Sequence, residues 1–163
     1  MPAWRARRSS SGFTLVELLV VMVIIGVTLG LATLNAIPSP RQDLENEARR
    51  LALLLQLARD EAIVRNRLVA FEANGERYRF MVRGDTGWEP VTRDDLLRER
   101  RFKHPPLRLM LEPSGNTTGS GNTDVLRITF GREPVDRPFV LTLASGANAV
   151  AIHADGVGHF TVE

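Results

Sequence analysis

Residues 13–37 read FTLVELLVVMVIIGVTLGLATLNAI, a run of 25 positions in which the one ionisable side chain is Glu17. At about 1.5 Å per helical residue the run reaches roughly 37 Å, enough for a hydrocarbon core of about 30 Å. It predicts a membrane-spanning helix. A secretory signal peptide has a shorter apolar region, roughly 7 to 15 residues, with a small-residue cleavage site after it. Here the small residue, Gly12, comes first. A plain anchor leaves Glu17 unexplained: a carboxylate in the bilayer costs at least about 2.5 kcal/mol on insertion scales, which marks it as functional and in need of a cationic partner.

Upstream lies MPAWRARRSSSG, which carries Arg5, Arg7 and Arg8 and no acid. Basic flanks stay in the cytoplasm, so the chain beyond Ile37 is expected on the far side of the membrane, in a bacterium the periplasm. The 163 residues hold 21 Lys plus Arg against 19 Asp plus Glu, a net charge of +2. Without the three leader arginines, 18 bases face 19 acids. The remainder is near neutral and lacks the field of a dedicated nucleic-acid binder. The absence of cysteine excludes a disulfide framework, a thiolate metal site and a Cys nucleophile.

Downstream, Ser39, Pro40 and Gln42 spell a helix start, with Ser39 as cap and proline at the first helical position. Pro38 and Pro40 are expected to kink or interrupt the chain there. Leu44, Ala48, Leu51, Leu55, Ala58 and Ala62 then recur at three- and four-residue steps, an amphipathic stripe, with Glu45, Glu47, Arg49, Arg50, Arg59, Asp60 and Arg65 largely outside it. Leu53, Leu54 and Leu57 widen the apolar surface, some to pack on the protein's own sheet and some to face a neighbouring subunit's helix.

From Leu68 the period changes to two. Residues 68–73 and 76–82, joined by Asn74-Gly75, read as a hairpin whose turn takes left-handed residues. Further strands are expected at 107–112, 125–130, 139–144, 150–154 and 159–162, with Asp155-Gly156-Val157-Gly158 as the last turn. Residues 92–103 read as a short helix or an edge strand, and 113–124 (PSGNTTGSGNTD) as a surface loop. A long helix followed by about seven strands indicates an α+β fold, the helix packed on one antiparallel sheet or on two facing sheets.

The basic leader, Gly12, then Phe13-Thr14-Leu15-Val16-Glu17 and an unbroken apolar run resemble type IV pilin and type II secretion pseudopilin precursors. The resemblance implies that a prepilin peptidase cuts between Gly12 and Phe13, that Phe13 becomes the N-methylated first residue, and that Glu17 pairs with a neighbour's N-terminal amine during assembly. A second block, Ala48-Arg49-Arg50-Leu51 with residues 57–65 (LARDEAIVR), is similar to the minor pseudopilins of the H type and to minor pilins sharing their domain. On that resemblance the chain divides into a leader (1–12), a transmembrane helix (13–37), an amphipathic periplasmic helix (38–67) and a β-rich periplasmic domain (68–163). The function implied is that of a structural subunit near the tip of the periplasmic pseudopilus, anchored in the inner membrane. The implied partners are the peptidase, other minor and major pseudopilins, inner-membrane lipid and secreted proteins. The alternative is a minor pilin of a type IV pilus.

Catalysis has no visible machinery: there is no Gly-x-Ser-x-Gly, phosphate loop or dinucleotide fingerprint. His153, Asp155 and His159 share a candidate hairpin, but zinc wants well-placed ligands with supporting partners and the spacing matches no metal motif. No cofactor is expected. Arg98, Arg100, Arg101, Lys103 and His104 form a basic run that could hold DNA through phosphates, diluted by Asp94, Asp95 and Glu99 and short of aromatic stacking residues.

Overall fold

The computed structural model describes residues 14–34, 39–92, 94–113 and 125–163. Gly12, Phe13, the leader, Pro38 and nearly all of the loop at 113–124 lie outside the described residues. The chain forms two compact units, Met1–Pro38 and Ser39–Glu163.

The first unit is α1 (Leu15–Leu34), 20 residues with Glu17 in its first turn. Apart from Glu17 and Thr28 its described side chains are apolar, and every one of them is exposed. Thr28 stays compatible with an apolar surround because its hydroxyl donates back to Ile24 O at 2.8 Å and lies 3.0 Å from Ile25 O. Among the described residues no helix is long and apolar enough to cross a membrane.

The second unit begins with α2 (Pro40–Val64), where Ser39 caps as expected, its Oγ accepting from Gln42 N at 3.2 Å. The helix ends because Asn66 adopts φ 52°, bonding Ile63 O while Arg67 N reaches Ala62 O. That pair of bonds satisfies two carbonyls at the helix end. Among the described residues nine strands follow in chain order: β1 (Val69–Ala73), β2 (Arg77–Arg83), β3 (Trp88–Pro90), β4 (Arg100–Arg101), β5 (Arg108–Glu112), β6 (Leu126–Phe130), β7 (Phe139–Ser145), β8 (Asn148–Ala154) and β9 (Phe160–Val162). One antiparallel sheet runs β3-β2-β1-β6 with β4 also paired to β2; the other runs β5-β7-β8-β9.

Helix α2 packs on both sheets, touching β1 and β6 of the first and β7, β8 and β9 of the second. The core follows from period: Leu44, Ala48, Leu51, Leu55, Ala58 and Ala62 meet Val69, Phe71, Tyr78, Phe80, Ile128 and Phe130 from one sheet and Leu141, Leu143, Val150 and Ile152 from the other. Phe71, Tyr78 and Phe80 form a tilted and edge-on aromatic cluster with centroids 5.4–6.3 Å apart.

Several expectations are corrected. The Asn74-Gly75 turn does not use a left-handed glycine, since Gly75 is not among the positive-φ residues. Instead Asn74 Oδ1 accepts from Glu76 N and Arg77 N, both at 2.9 Å, and Gly75 lets Leu107 approach. A Cβ there would lie 2.8 Å from Leu107 O, and Leu107 N donates to Gly75 O. For residues 92–103 the edge-strand reading holds over the helical one, the described residues giving a turn and then the two-residue strand β4. Strand β3 and the two-residue β4 raise the number of strands among the described residues to nine. Of the extra leucines on α2, Leu54 is buried, Leu57 half-buried and Leu53 68% exposed. Glu47 and Arg59 lie on the buried side, at 7% and 8% exposure, because each falls three or four positions from stripe members.

Candidate assembly site

Glu17 sits in the first turn of α1, its backbone N–H held 3.1 Å from Thr14 O and 3.3 Å from Thr14 Oγ1. A carboxylate there complements the positive end of the helix dipole. No cation faces it among the described residues. An apolar helix with one acid near its start can pack against like helices and offer a single charge to a neighbour's amine.

The domain presents three further features. On α2 the outward face carries Glu45, Arg49, Leu53, Gln56 and Asp60, with Arg41 Nε bonding Glu45 at 3.1 Å. On the outer face of the first sheet, Glu72 is 3% exposed and fully engaged: Arg79 Nε and Arg127 Nε each donate to it at 2.8 Å. Burial pushes the Glu72 carboxyl up, but the hydrogen bonds from Arg127 and Arg79 outweigh it and hold it below the ordinary carboxylate value. Trp88 lies across the same face, 5.5 Å from the Arg127 guanidinium and 5.7 Å from that of Arg83. Ala70 and Met81, paired across β1 and β2, are buried on this same face, which alternation alone would expose. Nothing in the sequence marked this cluster beyond the i, i+2 alternation of β1 and β2.

The basic run is largely engaged. Arg100 Nη2 donates to Asp95 O at 2.6 Å, Arg101 pairs with Glu76 at 3.6 Å, and Lys103 and His104 face Asp43 at 2.7 and 3.4 Å. The Lys103 hydrogen bond holds the Asp43 carboxyl below its usual value. His153, Asp155 and His159 do not converge. Asp155 Oδ1 accepts from the backbone of Val157, Gly158 and His159, its Oδ2 meets His159 Nδ1 at 2.6 Å, and His153 faces Glu163 at 3.7 Å. The His159 bond, together with the backbone bonds, lowers the Asp155 carboxyl to about 2. These residues close a turn, and the described residues hold no group of ligands for a metal ion.

The family described as "Type II transport protein GspH" matches residues 47–158, and a prokaryotic N-terminal methylation motif matches residues 7–33. A type II secretion system protein H of Pseudomonas aeruginosa is 44% identical over 91 residues, 53% of this chain and 52% of the relative. The chain thus spans about half the length of that relative. A protein of the same name from Aeromonas hydrophila is 34% identical over 154 residues, 84% of this chain and 82% of its own. The fold resembles the crystal structure of the minor pseudopilin EpsH of Vibrio cholerae, with a TM-score of 0.59 at 16% identity, covering 76% of this chain and 95% of that one. It also resembles the solution structure of Escherichia coli GspH, with a TM-score of 0.56 at 19% identity, covering 76% and 91%. Matched along most of the β-rich unit and α2, and again at the apolar helix, the chain belongs to the GspH family of type II transport proteins.

Proposed function

We propose that the chain is a minor pseudopilin of a type II secretion system, a structural subunit at or near the tip of a periplasmic filament that helps export folded proteins. The observation that carries the reading is that one chain joins a methylation motif at 7–33 to a GspH match at 47–158. The family implies an inner-membrane-anchored pseudopilin, a structural subunit and not a catalyst. In the proposed pathway residues 13–37 span the membrane with Arg5, Arg7 and Arg8 in the cytoplasm. A prepilin peptidase cuts between Gly12 and Phe13, and Phe13 is N-methylated. Glu17 then meets a neighbour's N-terminal amine, so two charges that are costly in lipid neutralise each other as the subunit joins the filament. The domain meets other pseudopilins or secreted cargo through its sheets and the outward face of α2.

Deleting the gene tests this reading. Secreted enzymes should accumulate folded in the periplasm while surface pili remain, with recovery on complementation. Loss of pili with normal secretion would favour the minor-pilin alternative.

A further inference from the structure

The outer face of the first sheet holds more positive charge than it compensates. Arg79 and Arg127 share one carboxylate, that of Glu72, and their side chains stay 47% and 25% exposed. Arg83, exposed on the same face, makes no ion pair among the described residues. Its guanidinium stands 5.7 Å from the centre of the Trp88 ring, and that of Arg127 stands 5.5 Å from it, so one indole holds two cations close together. Arg83 also lines a hollow of about 400 Å³ with Arg67 and Arg132, both exposed and neither ion-paired among the described residues. Asp85 and Glu89 line that hollow too, beyond ion-pairing distance of all three guanidiniums. Five arginines thus face three acids across the sheet face and the hollow, on a chain that is otherwise near neutral without its leader. Like charges set together repel, and an anion placed between them removes the repulsion.

We infer that this surface docks an acidic segment of a neighbouring pseudopilin, one carboxylate meeting Arg83 and Arg127 at the Trp88 ring and another entering the hollow between Arg67 and Arg132. The inference rests on the pseudopilus reading for the identity of the neighbour. Charge complementarity sets the segment's chemistry: the guanidinium fork takes a planar carboxylate through two parallel hydrogen bonds. A nucleic acid or other continuous run of phosphates fits less well. Glu72, Asp85 and Glu89 lie among the arginines and repel dense negative charge, whereas separate carboxylates reach the guanidiniums between them.

The test titrates the full chain in nonionic detergent micelles, carrying Trp4→Phe so that Trp88 is its one indole. Trp88 emission reads the binding of a hexaglutamate peptide, with hexaglutamine as the uncharged control. A saturable change is expected, at least about tenfold weaker for hexaglutamine. Arg83→Gln should weaken hexaglutamate by about threefold or more, while Arg98→Gln, which removes an exposed arginine elsewhere, should leave the midpoint unchanged. Equal responses to the two peptides, an unchanged midpoint in Arg83→Gln, or an equal loss in Arg98→Gln overturns the site. Tighter binding of an oligonucleotide of equal charge overturns the carboxylate as its ligand. In isolated membranes, carbodiimide treatment of Arg83→Lys should join the new amine to a carboxylate of another pseudopilin, located by peptide mass spectrometry. Coupling within the chain alone, or to a secreted protein alone, overturns the assigned partner. The titration needs no secretion machinery, so its failure leaves the proposed function untouched, and a failed secretion test leaves the titration result standing.

Discussion

Gly158 lies against the guanidinium of Arg59, so close that a Cβ on it would sit 2.6 Å from Arg59 Nη1. Arg59, buried on α2, also donates to the carbonyl of Pro134, and Asp136 N bonds Gly156 O at 2.7 Å. One side chain thus ties the β6–β7 connection and the last hairpin turn to the helix. Gly158 has φ +114°, a region that favours glycine. Gly158→Ala therefore meets both a clash and backbone strain, and should cost about 1–3 kcal/mol. Arg59→Met, which keeps the stem and removes the donor, should cost a similar amount, and the double variant should lose less than the sum. Denaturant unfolding of the four proteins checks this.

Glu72 gives stability a defined acid limb. Its carboxyl is held below the ordinary value, so its contribution is complete above about pH 4.3 and is lost as pH falls through its depressed native value. Glu72→Gln should destabilise at pH 7 by about 1–3 kcal/mol, leaving Arg79 and Arg127 short of a partner. The difference from the parent should shrink towards zero on acidification, as read by urea unfolding between pH 2 and 7.

Glu47 has the opposite sign. Burial, opposed by Arg50, Lys103 and His104, raises its carboxyl above the ordinary value. The native state thus binds its proton more tightly, and the penalty grows as pH rises from the unfolded carboxylate value, about 4.3, through the native one. Glu47→Gln mimics the protonated form. It should stabilise the isolated protein by on the order of 1 kcal/mol at pH 7 and by nothing at pH 3.

Glu17→Ala should be processed normally yet fail to enter filaments. In the proposed pathway cleavage depends on the residues about Gly12 and Phe13, whereas assembly depends on the counter-charge in the apolar helix. Immunoblots of processing and of sheared filaments separate the two steps, and normal incorporation would contradict the pairing role.

The basic run should not confer DNA binding, since Arg100, Arg101, Lys103 and His104 each have a partner. A salt titration of DNA binding should show no steep loss of affinity attributable to Arg98, Arg100 and Arg101, the signature of released counterions being absent.

How much was legible in the sequence depended on how local the deciding interaction was. The α2 stripe, its Ser39 cap and the five downstream strands follow from spacing and short-range chemistry, and their bounds shift by only one or two residues in the fold. Asn74-Gly75 signals a turn locally, but the need for glycine at 75 arises from Leu107, 32 positions away. The burial of Glu47, Arg59 and Glu72 depends on elements distant in sequence that close over them, and polarity alone places such residues outside. Trp88 is legible only in part: Arg83 stands opposite it in the β2–β3 hairpin, whereas Arg127 meets it only once β6 lies beside β1. In the proposed site, Glu17 stood out since a lone acid in an apolar run needs no tertiary knowledge to be anomalous.

The central claim is that this chain is a processed pseudopilin, and intact mass spectrometry of the protein extracted from membranes tests it most directly. The account predicts a mature chain that begins with N-methylated Phe13. A protein that retains Met1 and the three leader arginines, or one cut anywhere other than after Gly12, would contradict it.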